Sequence, residues 1–383
     1  MAGLDSVFVS EDGSVASVGA GARWLDVYSH LDPLGKSVAG GRNGLVGVGG
    51  LTLGGGISYF SPQVGWTCDS VVNFEVVLAG GEGKWGRGGG RLVNANATSH
   101  PDLFRALKGG LNNFGVVTGF DFETVEVGEI LGGSVEYDVS QKRALFQAFT
   151  NIANAEEYDV HASMVMSAAF NSSAKNWGLS TTPIYTKPVD HPPFYDELFR
   201  VPNVSSTVML RNLSTFSNES AIPQLDFAFF TGTYGVSVSF LEETFNIVDK
   251  NVRDSEGVSW SYTLEPLPTV ITSRGAGKNV LGTSERDGDG MVLLLSPAWT
   301  DSSLNQEVHS TAMCIIGEIN SAAAKRRMLH KYVYANYADS SQRPLESYGP
   351  QNRAFLDVVA RRYDPSGVFQ KLVPGGFKLS RQS

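Results

Sequence analysis

Nine of the seventeen residues from Gly40 to Gly56 are glycine, in the run GGRNGLVGVGGLTLGGG. Glycine at this density raises the entropy lost on folding, so such a run needs a geometric reason to persist. One reason is close approach: without Cβ atoms, successive backbone N–H groups can close on a pyrophosphate or a flat ring. The other is a flexible linker or a series of tight turns. Leu45, Val46, Val48, Leu51 and Leu53 interrupt the run and call for burial, which a Gly/Ser linker does not. Composition alone leaves ligand binding and turn formation both open.

Known nucleotide fingerprints do not fit. Gly47-Val48-Gly49-Gly50-Leu51-Thr52 lacks the third glycine of G-x-G-x-x-G, and no G-x-x-x-x-G-K-[ST] or G-x-S-x-G occurs in the chain. A Rossmann fold, a P-loop and a nucleophile elbow are disfavoured.

Around the glycines the first 130 residues read as short strands and turns. Val7–Val9 and Val15–Val18 flank Glu11-Asp12-Gly13, a hairpin signal. Trp24–Leu31 predicts a short amphipathic helix, and Val71–Leu78 and Val116–Val127 alternate as strands. A helix over His100–Leu107 is expected, with Ser99 and Asp102 as a capping-box pair and Gly109-Gly110 as its stop. Beyond it, Ser140–Ala153, Glu307–His330 and Pro350–Tyr363 predict helices, while Met164–Ala168 and Met291–Leu295 read as buried strands. Asn203–Gln224 reads as a polar surface loop, and Gly80–Arg91 as a hairpin tip. The change of character sets a lobe boundary near residue 130 in an α+β fold.

The bulk figures exclude several classes. The 383 residues carry a net charge of −9 and build no basic stripe, so a nucleic-acid partner is not expected. No 18-residue apolar run predicts a membrane span. Cys68 and Cys314 cannot make a disulfide framework, and the six histidines lack metal-ligand spacing, so no metal is expected. The first residues, MAGLDSVFVSEDGSV, have neither a basic nor an apolar region of a signal peptide. Five N-x-S/T sequons, at Asn96, Asn171, Asn203, Asn212 and Asn218, hint at a secretory ancestry, and localisation stays open.

Four blocks in order carry a family resemblance: GGRNGLVGVGGLTLGGGISYFSPQVGWTCDSVVNFEVVLAGG, HPDLFRALKGGLNNFGVVTGF, YANYAD with SYGPQNRAFL, and YDPSGVFQKLVPGGFKL. Together they resemble the FAD-linked oxidoreductases of the vanillyl-alcohol oxidase/berberine-bridge-enzyme superfamily, above all its fungal secondary-metabolism members. The resemblance implies an α+β fold with a two-lobed PCMH-type FAD-binding domain and a substrate domain whose antiparallel sheet is covered by helices. The FAD lobe would take residues 1–130, the substrate domain 131–339, and a C-terminal segment, 340–383, would return to the FAD lobe.

The resemblance also implies site residues. Gly47, Val48, Gly49, Gly50, Thr52, Gly54, Gly55 and Gly56 would lie along the FAD pyrophosphate and ribityl chain. Gly115, Val116, Val117 and Thr118 would face the adenine, and Asp69 would lie near the cofactor. Asn336 and Asn352 would line the flavin side, with Tyr337 or Tyr348 as the catalytic base. Read without the family, the two tyrosines are core aromatics and Asn352 an ordinary helix-start residue. The implied activity is oxidation of a small organic molecule, with hydride transfer to flavin N5 and molecular oxygen as acceptor.

Departures from the family pattern qualify this expectation. The R-S-G-G-H-like loop, whose histidine joins the flavin, would precede the first residue, so the FAD domain is expected to be incomplete at its N-terminus. Arg42-Asn43-Gly44-Leu45 stands where some relatives carry a second flavin-linked cysteine, and Arg105 where relatives often have tryptophan. The alternative reading is an inactive homologue, a non-catalytic binding or scaffold protein that does not retain FAD.

Overall fold

The computed structural model describes residues 1–80, 90–218 and 225–379. Strands β1 (Val7–Val9) and β2 (Val15–Gly19) pair antiparallel, and Gly13 turns the corner between them with φ of 71°. Helix α1 covers Trp24–Leu31 and buries Trp24, Val27, Tyr28 and Leu31, the i, i+3, i+4, i+7 stripe of an amphipathic helix. The glycine run then forms a short helix, α2 (Val48–Leu53). Strand β3 (Val71–Leu78), strand β4 (Arg91–Asn96), helix α3 (Pro101–Leu107) and strand β5 (Val116–Glu123) complete the first lobe. Its sheet runs β1-β2-β5-β3-β4, antiparallel throughout.

A second sheet begins at β6 (Ile130–Gly132) and β7 (Val135–Tyr137). Helix α4 (Lys142–Ala153) follows, then the hairpin of β8 (Ala162–Asn171) and β9 (Asn176–Tyr185). Strand β10 (Phe230–Tyr234), helix α5 (Val238–Val252), strands β11 (Val258–Leu267) and β12 (Gly290–Trp299), and helix α6 (Asn305–Lys325) finish it. The sheet runs β7-β9-β8-β11-β12-β10, again antiparallel. The three helices bury their apolar stripes on one face of it, through Phe149, Phe245 and Ile315 among others. Helix α7 (Pro350–Tyr363) returns to the first lobe, where Leu356, Val359 and Tyr363 join its core. Tyr332 and Tyr334 already belong to that core, as do Leu267, Ile271, Val280 and Leu281. No helix among the described residues is long and apolar enough to cross a membrane.

Several local expectations change. Helix α3 starts without a capping box: His100 takes the N-cap with φ of 52°, and no side chain caps the helix. Asp102 instead accepts hydrogen bonds from Tyr363 and Arg362, both at 2.7 Å, and so ties α3 to α7. The strand expected to reach Val127 ends at Glu123, and Val125–Glu126 pairs separately with Lys36–Ser37. The long helix stops at Lys325, because Arg327 turns to φ of 59° and Leu329 bridges Tyr234 in strand fashion.

The expected loop at Asn203–Gln224 contains strands Ser205–Ser206 and Met209–Arg211 and a helix, Leu213–Ser217, that buries Leu213 and Phe216 in the first core. Its residues 219–224, and residues 81–89 of the expected hairpin tip, lie outside the described residues.

Candidate active site

Strand alternation builds the site from the second sheet. On β11, Trp260, Tyr262 and Leu264 go into the core beneath the helices, so Thr263 and Glu265 stand on the opposite face. The same period brings Val165 of β8, Thr182 of β9 and Leu294 of β12 to that face. There they line a cavity of about 480 Å³ together with Arg42, Tyr59 and Tyr337. The cavity therefore lies between the glycine run, the second sheet and the stretch after α6 that carries Tyr337.

Three polar groups meet at its wall. The Arg42 guanidinium donates from Nη2 to Glu265 Oε1 and to the Tyr337 hydroxyl, each at 2.6 Å. The Tyr337 hydroxyl donates to the same Oε1 at 2.9 Å. Side-chain exposure is 14% for Arg42 and 4% for Glu265, so this ion pair is largely out of water. Such a pair repays its desolvation only when further hydrogen bonds accompany it, and Tyr337 supplies them. Glu265 Oε2 is buried without a protein partner, leaving one carboxylate acceptor unused.

Burial acts against the Arg42 charge, yet Glu265 and Tyr337 outweigh it and hold the guanidinium well above its ordinary value. The Tyr337 phenol is pushed far up by burial, drawn down by Arg42 and pushed up again by Glu265, so it stays protonated. A neutral phenol that accepts from a cation and donates to a carboxylate can pass a proton through its oxygen.

The glycine run is held beside this cluster by backbone bonds. Trp24 N–H donates to Val46 O, Leu25 N–H to Gly44 O and Val48 N–H to Ala22 O. Gly55 and Gly56 take φ of 103° and 84°, where side chains are strained, and Gly56 packs on Thr67. Asn336 donates from Nδ2 to Leu51 O at 2.9 Å, and its Oδ1 occupies the space a Cβ on Gly54 would fill. Thr52 is fully buried and donates its hydroxyl back to Val48 O. Gly49 rests on Ala20 O, whereas a Cβ on Gly47 or Gly50 would meet nothing within 4 Å.

The remaining expected residues spread around this centre. Thr118 O accepts from Ala20 N–H, which ties β5 to the residue that Gly49 rests on, and its hydroxyl donates to Glu75 Oε1 at 2.6 Å. Gly115 packs on Val76 and Val77, Val117 is buried and Val116 exposed. Asp69 accepts from Asn279 Nδ2 at 2.8 Å and from Trp66 N–H at 3.0 Å, a bracing role inside the lobe. Asn352 accepts from Arg105 Nη2 at 2.6 Å and donates to Tyr348 O, so it fixes the start of α7 to α3.

Tyr348 does not join Tyr337. Its ring is buried against Tyr332 and its hydroxyl donates to Gly109 O at 3.0 Å. The core-aromatic reading thus describes Tyr348, and Tyr337 alone of the two reaches the cavity. Sequence reading singles out neither Arg42 nor Glu265 for chemistry. The signal for Glu265 is a carboxylate in the otherwise apolar and hydroxylic strand VSWSYTLEPL. Cys68 is buried and Cys314 exposed, both as free thiols. Among the described residues no group of His, Cys, Asp or Glu could hold a metal ion.

An FAD binding domain model matches residues 1–85. The chain is 34% identical to the FAD-dependent monooxygenase tpcD of Cochliobolus heterostrophus, over 99% of its own length and 75% of that relative's. It belongs to the FAD-linked oxidoreductases of the vanillyl-alcohol oxidase/berberine-bridge-enzyme family. A second relative in that family, the FAD-dependent monooxygenase drtC of Aspergillus calidoustus, is 33% identical over 99% of this chain and 72% of the relative.

Solved structures agree on the fold. GilR, an oxidoreductase of gilvocarcin biosynthesis, superposes with a TM-score of 0.80 at 18% identity, covering 99% of this chain and 85% of that one. The 6-hydroxy-D-nicotine oxidase of Arthrobacter nicotinovorans gives 0.78 at 18% identity, covering 97% and 80%. The protein is thus an FAD-dependent oxidoreductase. The glycine run fits the cofactor at Gly47 and Gly50, which leave open space where a Cβ would meet nothing within 4 Å.

Proposed function

We propose that the chain oxidises a small organic molecule carrying an O–H or N–H beside the carbon that loses hydrogen, in the biosynthesis of a fungal secondary metabolite. The Arg42–Glu265–Tyr337 cluster on the cavity wall carries this reading. FAD held there would supply the electron sink for this two-electron oxidation, a hydride acceptor at N5 with molecular oxygen as the final acceptor. Gly47, Val48, Gly49, Gly50, Gly54, Gly55 and Gly56 would hold its phosphates and ribityl chain. Thr118 and its strand would take the adenine side.

The protein's own groups account for the proton. As the substrate carbon gives up its hydride, the substrate oxygen or nitrogen gives a proton to the Tyr337 oxygen. Tyr337 passes its own proton to Glu265, whose carboxylate is already hydrogen-bonded to it. Arg42 keeps both oxygens in place and stabilises negative charge developing on the phenolic oxygen. The unpartnered Glu265 Oε2 offers a second acceptor to a substrate donor. The fungal relatives tpcD and drtC are FAD-dependent monooxygenases, which supports the redox class.

Purified protein tests the reading directly. A yellow preparation with flavin bands, and oxygen uptake with hydrogen peroxide release on a panel of alcohols and amines, is the expected result. A colourless product that added FAD does not reconstitute would support the non-catalytic alternative. Oxygen uptake with incorporation into product would replace the oxidase step by a monooxygenase step.

A further inference from the structure

A second cavity, of about 200 Å³, lies behind the first lobe's aromatic wall and shares no lining residue with the Tyr337 cavity. Ring contacts run from Tyr332 to Trp66 at 5.4 Å, on to Tyr334 at 5.8 Å and then to Tyr337 at 4.8 Å, so Tyr332, Trp66 and Tyr334 stand between the two. Thr233, Thr283 and Tyr332 line this second cavity, and all three carry buried hydroxyls with no hydrogen-bond partner. Their exposures are 1%, 8% and 6%. A buried polar group left unpaired costs about 1–3 kcal/mol, so three lining one cavity call for an occupant.

The chemistry of the lining narrows that occupant. Each hydroxyl both donates and accepts, which complements another hydroxyl better than it does a fixed charge. Burial holds the His330 imidazole below its ordinary value, against the pull of Asp287, so it too is neutral near pH 7 and can donate and accept. The charged groups in the lining are Lys331 and Asp287, of opposite sign and both exposed. No net charge faces an ion. The size falls below the roughly 300–1,000 Å³ of drug-sized pockets.

We propose that this cavity is a second ligand site, which binds a small neutral polyhydroxylated molecule through Thr233, Thr283, Tyr332 and His330. The site is independent of the redox chemistry assigned to Tyr337.

An NMR-detected titration of the intact protein with erythritol, a four-carbon neutral tetraol, tests it, with sodium acetate as the charged control. Saturable erythritol binding is expected, weakened about tenfold or more in Thr233→Val/Thr283→Val, since two hydrogen bonds are lost. Acetate binding should stay undetectable. Circular dichroism establishes that the double variant is folded; should it unfold, Tyr332→Phe, which only deletes an unpartnered hydroxyl, takes its place. Absence of saturable erythritol binding, affinity unchanged by the substitutions, or equal affinity for acetate would overturn the assignment. Flavin content and oxygen uptake report separately on the Tyr337 site, so failure of one reading leaves the other measurable.

Discussion

Asn336 stands in the space that a side chain on Gly54 would need: a Cβ there would lie 2.0 Å from Asn336 Oδ1, while Asn336 Nδ2 donates to Leu51 O. The stretch that follows α6 thus locks the end of α2 from a distance of 285 residues in sequence. The glycine run is shaped by protein packing at both ends, where Gly40 and Gly41 press on Trp24 and Gly54 on Asn336, and is open in its middle, where Gly47 and Gly50 face no neighbour.

That contrast separates folding from cofactor binding. Gly54→Ala must displace Asn336 and is expected to lower stability by about 1–3 kcal/mol, as overpacking does. Gly50→Ala meets no atom and improves helix propensity by about 1 kcal/mol, so flavin-free protein should be equally or more stable. If the bed touches the cofactor phosphates, Gly50→Ala nonetheless weakens FAD. Urea melts of flavin-free protein with parallel FAD titrations measure both effects, and unchanged FAD affinity in Gly50→Ala would move the phosphates off this surface.

Tyr337→Phe removes the relay oxygen and leaves the Arg42–Glu265 ion pair in place. Turnover should fall about 10²–10⁴-fold, the usual contribution of a positioned acid–base group, with KM much less affected. Anaerobic stopped-flow of flavin reduction isolates the step. A variant that reduces its flavin at the wild-type rate would remove Tyr337 from the chemistry.

Arg42 and Glu265 are expected to behave as one unit. Arg42→Met leaves a carboxylate that is 4% exposed without its counter-ion and should cost about 3–5 kcal/mol. Adding Glu265→Gln neutralises that charge and should recover much of the loss. Denaturant melts of the two singles and the double give the coupling; additive losses would show that the pair is not energetically linked.

Much of the fold is legible in the sequence where local pattern and tertiary burial agree. Trp24–Leu31, Val71–Leu78 and Pro350–Tyr363 form over the residues their periodicities mark. Agreement fails where a distant partner decides. Asp102 looks like a capping residue until Tyr363 and Arg362 claim it. Leu213 and Phe216, three apart in a polar stretch, carried a helical signal that the surrounding Ser and Asn masked. At the site, the glycine run and Tyr337 stand out by motif, whereas Arg42 and Glu265 meet across 223 residues and have no local pattern that pairs them.

Asp69 gives the stability a pH signature. Burial raises its carboxyl above the ordinary 3.8, although Asn279, the Trp66 N–H and Lys108 pull the other way. A carboxyl raised in the folded state holds its proton more tightly there than in the unfolded chain. Its contribution is therefore most favourable below the ordinary value and is lost as pH rises through the folded pKa. Asp69→Asn removes the titration and keeps one of the two acceptor oxygens, since Asn279 and the Trp66 N–H bond to different carboxylate oxygens; the lost bond lowers stability by an amount that does not vary with pH. Urea midpoints of wild type and variant, compared from acid pH toward neutrality, should shift in favour of the variant as pH rises. A difference that instead moves toward wild type over that range would mean that hydrogen bonding to the ionised carboxylate outweighs its burial.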